Sequence, residues 1–329
     1  MKTKKHTVYL FLVALLILLS TSCSARQEPI RIAISAWAGV EPAELAAQLG
    51  YYEKHGVDVE MVRFSAYSDS IDALREGNVQ AGMHPLDDAI RYYSNGSDVR
   101  VVLLTDYSYG GDGLVAQAGF EALSDLNDSK IGVEVGTVGH LSLLTILQKE
   151  NLSVEDVTII SIPAWEIQQE MLAGSIDAGV TWEPYLSSTA KMVDGKVLIT
   201  SRDYPETIIT SMVFDAQTIA KRPEDVQKVV AAYFDAVDYI KQNPQDAYKR
   251  MGAAEGIGAD EFALHVEGIQ YLDLVANGDL FGKNATGRIY AKAAEITDFL
   301  FAHGALNQKP ATDSLLEPTF INNLIDEIP

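Results

Sequence analysis

The sequence predicts an α/β protein of two lobes, each a parallel-rich sheet flanked by helices, joined by two hinge crossovers. Three observations carry this. First, short apolar segments alternate with amphipathic helical ones through most of the 329 residues, the pattern of parallel sheets covered by helices. Second, Gly77-Asn78-Val79-Gln80-Ala81-Gly82-Met83 matches Gly174-Ser175-Ile176-Asp177-Ala178-Gly179-Val180, and Arg31-Ile32-Ala33-Ile34 matches Lys130-Ile131-Gly132-Val133, at nearly equal separations. Third, strand-like segments at 113–117 and 208–214 stand where the chain would pass between the two copies, and are the expected hinges.

In chain order, residues 30–35 read as an apolar strand, 42–54 as a helix opened by Pro42, and 57–64 as a strand of alternating polarity. A helix over 68–76 is stopped at Gly77, leads through a tight turn into the small-residue strand 80–83, and is followed by a helix over 86–93 and a strand over 99–105. The second unit has the same rhythm: strand 130–134, helix 138–149, strand 157–161, helix 166–172 and strand 178–181. Pro223 opens a long amphipathic helix that Asn243-Pro244 stops at Gln242, and further helices are expected within 260–275 and 287–303. The expected domains are a leader over 1–22, a tether over 23–29, a first lobe from 30–112 with 213–329, and a second lobe over 113–212.

The leader is read from a basic head (Lys2, Lys4, Lys5) and an uncharged run over residues 8–19. As a helix that run spans about 18 Å, short of the roughly 30 Å hydrocarbon core, so a signal peptide is expected and a spanning helix is not. Cys23 is the only cysteine, which leaves neither a disulfide partner nor a cysteine-rich metal site. Small residues before it resemble a lipobox, so Cys23 is the expected lipidation site, holding an otherwise water-borne globule to an extracytoplasmic membrane surface.

Charge narrows the partners. A formal net charge of −21 repels phosphate backbones and argues against nucleic acid. In open sheets ligands bind beyond the carboxyl ends of strands, where loops lead into helix N-termini. That rule selects 35–39, 83–87, 106–112, 134–140 and 181–185. Trp37, with Ala38 and Gly39, and Trp182 occupy equivalent connections in the two lobes, where each ring either covers a ligand or seals a core. Gly136, Thr137 and Val138 open a helix whose free N–H groups suit a ligand oxygen or a plain N-cap. Asp106, Asp112, Glu134 and Glu183 are acids at strand ends; His84 and Leu86 complete the candidate set, His84 as a ligand contact or a packed loop residue. None of the five segments contains Lys or Arg, which favours a zwitterionic, cationic or neutral nitrogen-bearing ligand over a simple anion. No nucleophile elbow or metal-ligand spacing is visible among the six histidines, so no catalytic residue, metal or cofactor is expected.

Trp37-Ala38-Gly39 through Pro42, followed by Leu49-Gly50-Tyr51-Tyr52-Glu53-Lys54-His55-Gly56-Val57-Asp58-Val59-Glu60, resembles the signature of ABC-importer substrate-binding lipoproteins of the nitrate, sulfonate and taurine group, which also includes thiamine-pyrimidine binders. Thr181-Trp182-Glu183-Pro184-Tyr185 is similar to that family's second-lobe cleft motif, and Leu86-Asp87-Asp88-Ala89 and Asp106-Tyr107-Ser108 with Gly113 match as well. The resemblance implies a type II periplasmic binding protein. Such a protein would be monomeric, close on a small solute such as an amino-sulfonate or N-heterocycle, and deliver it to a membrane permease with its ATPase. Two other readings stay open on the same fold: a sensing module feeding a transmembrane kinase or cyclase, and an enzyme.

Overall fold

A computed structural model describes residues 27–283 and 286–327; the leader and Cys23 lie outside those residues. The first sheet has six strands. Its strand β1 (Ile30–Ile34) runs parallel to β2 (Val59–Arg63) on one side and β3 (Ala81–Pro85) on the other. Strand β10 (Ile209–Asp215) is inserted antiparallel between β3 and β4 (Val99–Ser108), and β11 (Ile269–Tyr271) closes the edge beside β4. The second sheet has five strands in the order β7 (Thr158–Ser161), β6 (Lys130–Val133), β8 (Ala178–Trp182), β5 (Asp112–Ala116) and β9 (Lys196–Thr200). Here β6 is parallel to β7 and β8, and β5 is antiparallel to β8 and β9. Mixed sheets covered by helices are the expected outcome for a chain in which apolar strands alternate with helices.

The internal repeat is a repeat of register. Ile32 pairs with Ala81 and Ala33 with Gly82 in the first sheet; Ile131 pairs with Ala178 and Gly132 with Gly179 in the second. The two matched glycines make room for a side chain: a Cβ at Gly82 would collide with the His84 ring, and one at Gly179 with Ile167. Each would force a packed neighbour to move.

Three sequence expectations need correction. The helix expected over 42–54 is two, Glu41–Gln48 and Tyr51–His55, because Gly50 adopts φ +70° between them. The stretch 260–275 is not helical throughout: helix Ala259–Val266 is followed by β11 and then helix Leu274–Phe281. Gly268 is the reason, since its carbonyl accepts the N–H groups of Tyr109 (2.8 Å) and Gly111 (3.1 Å) and ties the chain to the connection between the sheets. Finally, the expected hinge strands do not cross. β5 pairs wholly within the second sheet and β10 wholly within the first, so the chain passes between lobes at 109–111 and 201–208, and the return precedes the boundary drawn at 212/213. The two passages are tied together: Ser201 Oγ lies 2.7 Å from Ser108 Oγ and accepts the Gly110 N–H at 2.6 Å, while Arg202 Nε donates to the Tyr109 carbonyl at 3.0 Å.

One apolar core surrounds the first sheet and two smaller ones surround the second. The lobes share side chains. Leu141, from helix Val138–Lys149 of the second lobe, belongs to the first core, Tyr67 from the first lobe belongs to the second, and Trp37 packs against both.

Candidate ligand site

The carboxyl ends of β1, β3, β6 and β8 all meet the gap between the lobes. There a cavity leaves about 400 Å³ free of protein atoms, of which the centre of a water molecule can visit about 30 Å³. One water needs about 10–15 Å³ of such space, so this closed arrangement suits only a compact guest. From the first lobe it is lined by Ser35, Trp37, Val40, Tyr67, Met83 and Pro85, with Asp112, Ile208 and Thr210 at the crossings, and from the second by Val138 and Trp182. A smaller space at the mouth is bounded by Glu134, Trp165 and Tyr185 and shares Ser35, Tyr67 and Trp182.

Trp37 is held by a buried carboxylate. Its Nε1 donates to Asp106 Oδ1 at 3.2 Å, and Asp106 also accepts the hydroxyls of Thr105 (2.7 Å) and Thr210 (3.2 Å). Burial pushes the Asp106 carboxyl up to about 6 in spite of those three donors. Gly39 is required behind this pair, because a Cβ there would land on Trp37 Nε1 and on Asp106. Ala38 and Gly39 therefore support the ring rather than line the cavity.

Trp182 is held from the opposite lobe. Its Nε1 donates to the Ala36 carbonyl at 3.0 Å, a bond that crosses the gap. Its ring meets Tyr67 edge-on at 5.9 Å and Tyr185 at 6.4 Å. Trp37 and Trp182 share the cavity wall, and the first-lobe ring set edge-on to Trp182 is that of Tyr67. A chain of edge-on rings then runs inward from Tyr67 to His84 and Tyr92.

Asp112 is the one charged side chain on the cavity wall. Burial is the main cause that pushes its carboxyl up to about 7; the Ser108 hydrogen bond opposes this, and the charges of Asp106, Asp87 and Glu183 add to it. A cationic or N–H-bearing group beside Asp112 would relieve that cost, whereas an anion would add to it.

Several predicted residues lie elsewhere. His84 is fully buried, with its ring nitrogens near Ser70 Oγ (3.2 Å) and Tyr92 Oη (3.3 Å), and burial lowers it to about 3, so it is neutral. Leu86 is in the first core. Thr137 Oγ1 donates to the Glu134 carbonyl at 2.8 Å, and Gly136 is exposed at φ +89°. Glu183 is half-buried and accepts from Ser187. Glu134 stands at the mouth, its carboxyl raised by burial. The Val138 side chain lines the cavity, but its N–H, expected to face a ligand oxygen, donates to Asp88 of the other lobe at 3.3 Å.

Sequence reasoning missed Val40, Tyr67, Ile208, Thr210 and the part played by Asp88. Tyr67 begins helix Tyr67–Arg75 just beyond β2, so the same strand-end rule, applied to β2, would have found it. Ile208 and Thr210 stand at the amino end of β10, which faces the gap because β10 is antiparallel, a case that rule does not cover. Among the described residues no cluster of three or more His, Cys, Asp or Glu could hold a metal ion, and no helix is long and apolar enough to cross a membrane.

Two sheet-based lobes joined by two passages, with strand ends converging on an intervening cavity, define the type II periplasmic binding protein fold. The fold matches the ligand-binding component of an ABC-type import system from Staphylococcus aureus with a TM-score of 0.75 at 17% identity, over 90% of this chain and 98% of that one. It matches the alkanesulfonate-binding protein SsuA from Xanthomonas axonopodis pv. citri with a TM-score of 0.74 at 17% identity, over 89% and 99%. The chain belongs to the family described as NMT1/THI5 like, whose model matches residues 39–247. Relatives include a Bacillus subtilis (strain 168) protein named for binding aliphatic sulfonates, 22% identical over 307 residues, covering 91% of this chain and 88% of the relative. They also include the Saccharomyces cerevisiae 4-amino-5-hydroxymethyl-2-methylpyrimidine phosphate synthase THI13, 25% identical over 226 residues, covering 63% and 65%.

Proposed function

We propose that this protein is the extracytoplasmic solute-binding component of an ABC importer, lipid-anchored through Cys23, and that it captures a small nitrogen-bearing solute between its lobes. One observation carries the solute class: the interlobe cavity has largely apolar and aromatic walls, and among the described residues Asp112 is its only charged lining group, with no Lys or Arg on the wall. Arg91, on the helix that follows the 83–87 loop, is buried and bound to Asp87 (2.6 Å) and Asp88 (2.7 Å). Solute would dock on the first lobe at Trp37, and the second lobe would close with Asp112, Val138 and Trp182. The import-system structural neighbour supports hand-over to a permease and its ATPase, and the binding-protein fold supports an extracytoplasmic location.

Calorimetric titration with a panel of small amines, N-heterocycles and amino-sulfonates tests the reading. At least one nitrogen-bearing solute should bind at micromolar Kd, about −8 kcal/mol, and lose affinity in Asp112→Ala. Binding confined to nitrogen-free anions would overturn it. The yeast synthase relative motivates one further check: solute recovered after incubation should be chemically unchanged, since altered product would favour an enzyme.

A further inference from the structure

At the N-terminus of the twelve-residue helix Val138–Lys149 the chain supplies a carboxyl group of its own. Asp88, on helix Leu86–Ser94 of the first lobe, is buried, and its Oδ2 accepts both the Tyr67 hydroxyl at 2.5 Å and the Val138 N–H at 3.3 Å. Its Oδ1 accepts from Arg91 Nη1 at 2.7 Å. A guanidinium, a phenol and a helix terminus thus converge on one carboxylate, a donor set suited to an oxyanion. Tyr67 and Val138 both also line the ligand cavity, so the place Asp88 fills adjoins it. Arg91 Nη1 is shared with Asp87 at 2.6 Å, and its Nε and Nη2 are buried without hydrogen-bond partners, so the guanidinium has unused donors.

Resting on the reading of this cavity as a solute site, we propose that Asp88 determines specificity by occupying, with its own carboxylate, the position where Arg91, Tyr67 and the helix terminus would otherwise receive an anionic group of the solute. The consequence is a solute class narrower than the nitrogen-bearing one. A sulfonate or nitrate finds its donors already taken by Asp88 beside the cavity and meets the Asp112 carboxyl on its wall; an amine or neutral N-heterocycle meets no such barrier. Exclusion by a built-in like charge is an efficient way to separate solutes of similar size.

The test is calorimetric titration of the wild type, Asp88→Ala and Asp88→Asn with sodium nitrate, ethanesulfonate and ethylammonium, with melting temperatures recorded in nitrate. Removing Asp88 should raise affinity for nitrate and ethanesulfonate at least tenfold, about 1.4 kcal/mol, and nitrate should stabilise Asp88→Ala against heat but not the wild type. Where Asp88→Ala does not fold, the isosteric Asp88→Asn removes the charge and one of the two acceptor oxygens while keeping the volume, and should still gain at least threefold. Wild-type protein that binds either anion as tightly as the variants, or variants that gain nothing, overturns the assignment. The amine arm separates this from the proposed function: failure of ethylammonium and of the whole nitrogen-bearing panel with the anion gain intact sinks the nitrogen-bearing reading and leaves Asp88 as the excluder, and the converse sinks only Asp88.

Discussion

Replacing Trp182 with Phe isolates a single bond between the lobes. Phenylalanine keeps an aromatic ring against Tyr67 and Tyr185 but deletes the Nε1 donor that reaches the Ala36 carbonyl at 3.0 Å across the gap. A net hydrogen bond contributes about 0.5–1.5 kcal/mol. Because this one exists only when the lobes are together, its loss should move the open-to-closed ratio by about 2- to 12-fold. Trp182→Ala also loses the buried ring, a change of about 3–5 kcal/mol, and should leave the protein mainly open. The assay is single-molecule energy transfer between one label on each lobe, with Trp165→Phe, at a ring 47% exposed, as the control. The reasoning is refuted if wild type, Trp182→Phe and Trp182→Ala give the same distance distribution.

Further predictions concern the groups behind the cavity wall. Gly39→Ala drives a methyl into Trp37 Nε1 and Asp106; overpacking costs about 1–3 kcal/mol, to be read as a lower urea midpoint with a shifted tryptophan emission. Asp106→Ala leaves the Trp37 N–H and the Thr105 and Thr210 hydroxyls without their acceptor, and at about 1–3 kcal/mol for an unsatisfied buried group it should destabilise more than Asp106→Asn, which keeps an acceptor for Trp37. Asp112 has a raised carboxyl, about 7 against 3.8, so between those values the native state holds a proton the unfolded chain has released. Stability contributed by this group therefore falls as pH rises from about 4 to about 7, at up to about 1.4 kcal/mol per pH unit, and Asp112→Asn should flatten that slope in urea melts. The same titration makes the affinity for a fixed cation such as tetramethylammonium rise from pH 5 to pH 8, with proton release visible in buffers of different ionisation enthalpy.

Periodicity and punctuation made much of the fold legible. Helix Pro223–Gln242 follows from an amphipathic run with a clear stop, helix Val138–Lys149 from an apolar run opened by Gly136-Thr137, and the duplicated glycine strands reflect a duplicated register. Legibility ended where tertiary contact overrides local pattern: β11 is extended because Gly268 is tied to the first passage, and β10 is antiparallel because it returns from the other lobe. The neighbourhood of Trp37, Asp112, Val138 and Trp182 could be read from strand ends. Asp106 and His84 satisfy the same rule but point inward, and sequence carries no sign of which side of the loop a side chain takes. That Asp88 would bond the facing helix could not be read at all, because the bond exists only across the gap, between residues separated by fifty positions.

The most direct measurement is native mass spectrometry of the gently purified protein, followed by chemical identification of whatever solute is released. The account predicts a nitrogen-bearing molecule without a free anionic group, held one per chain by the wild type and lost from Trp182→Ala and Asp112→Ala. A sulfonate or inorganic anion at that stoichiometry, or a solute retained by both variants, would contradict it.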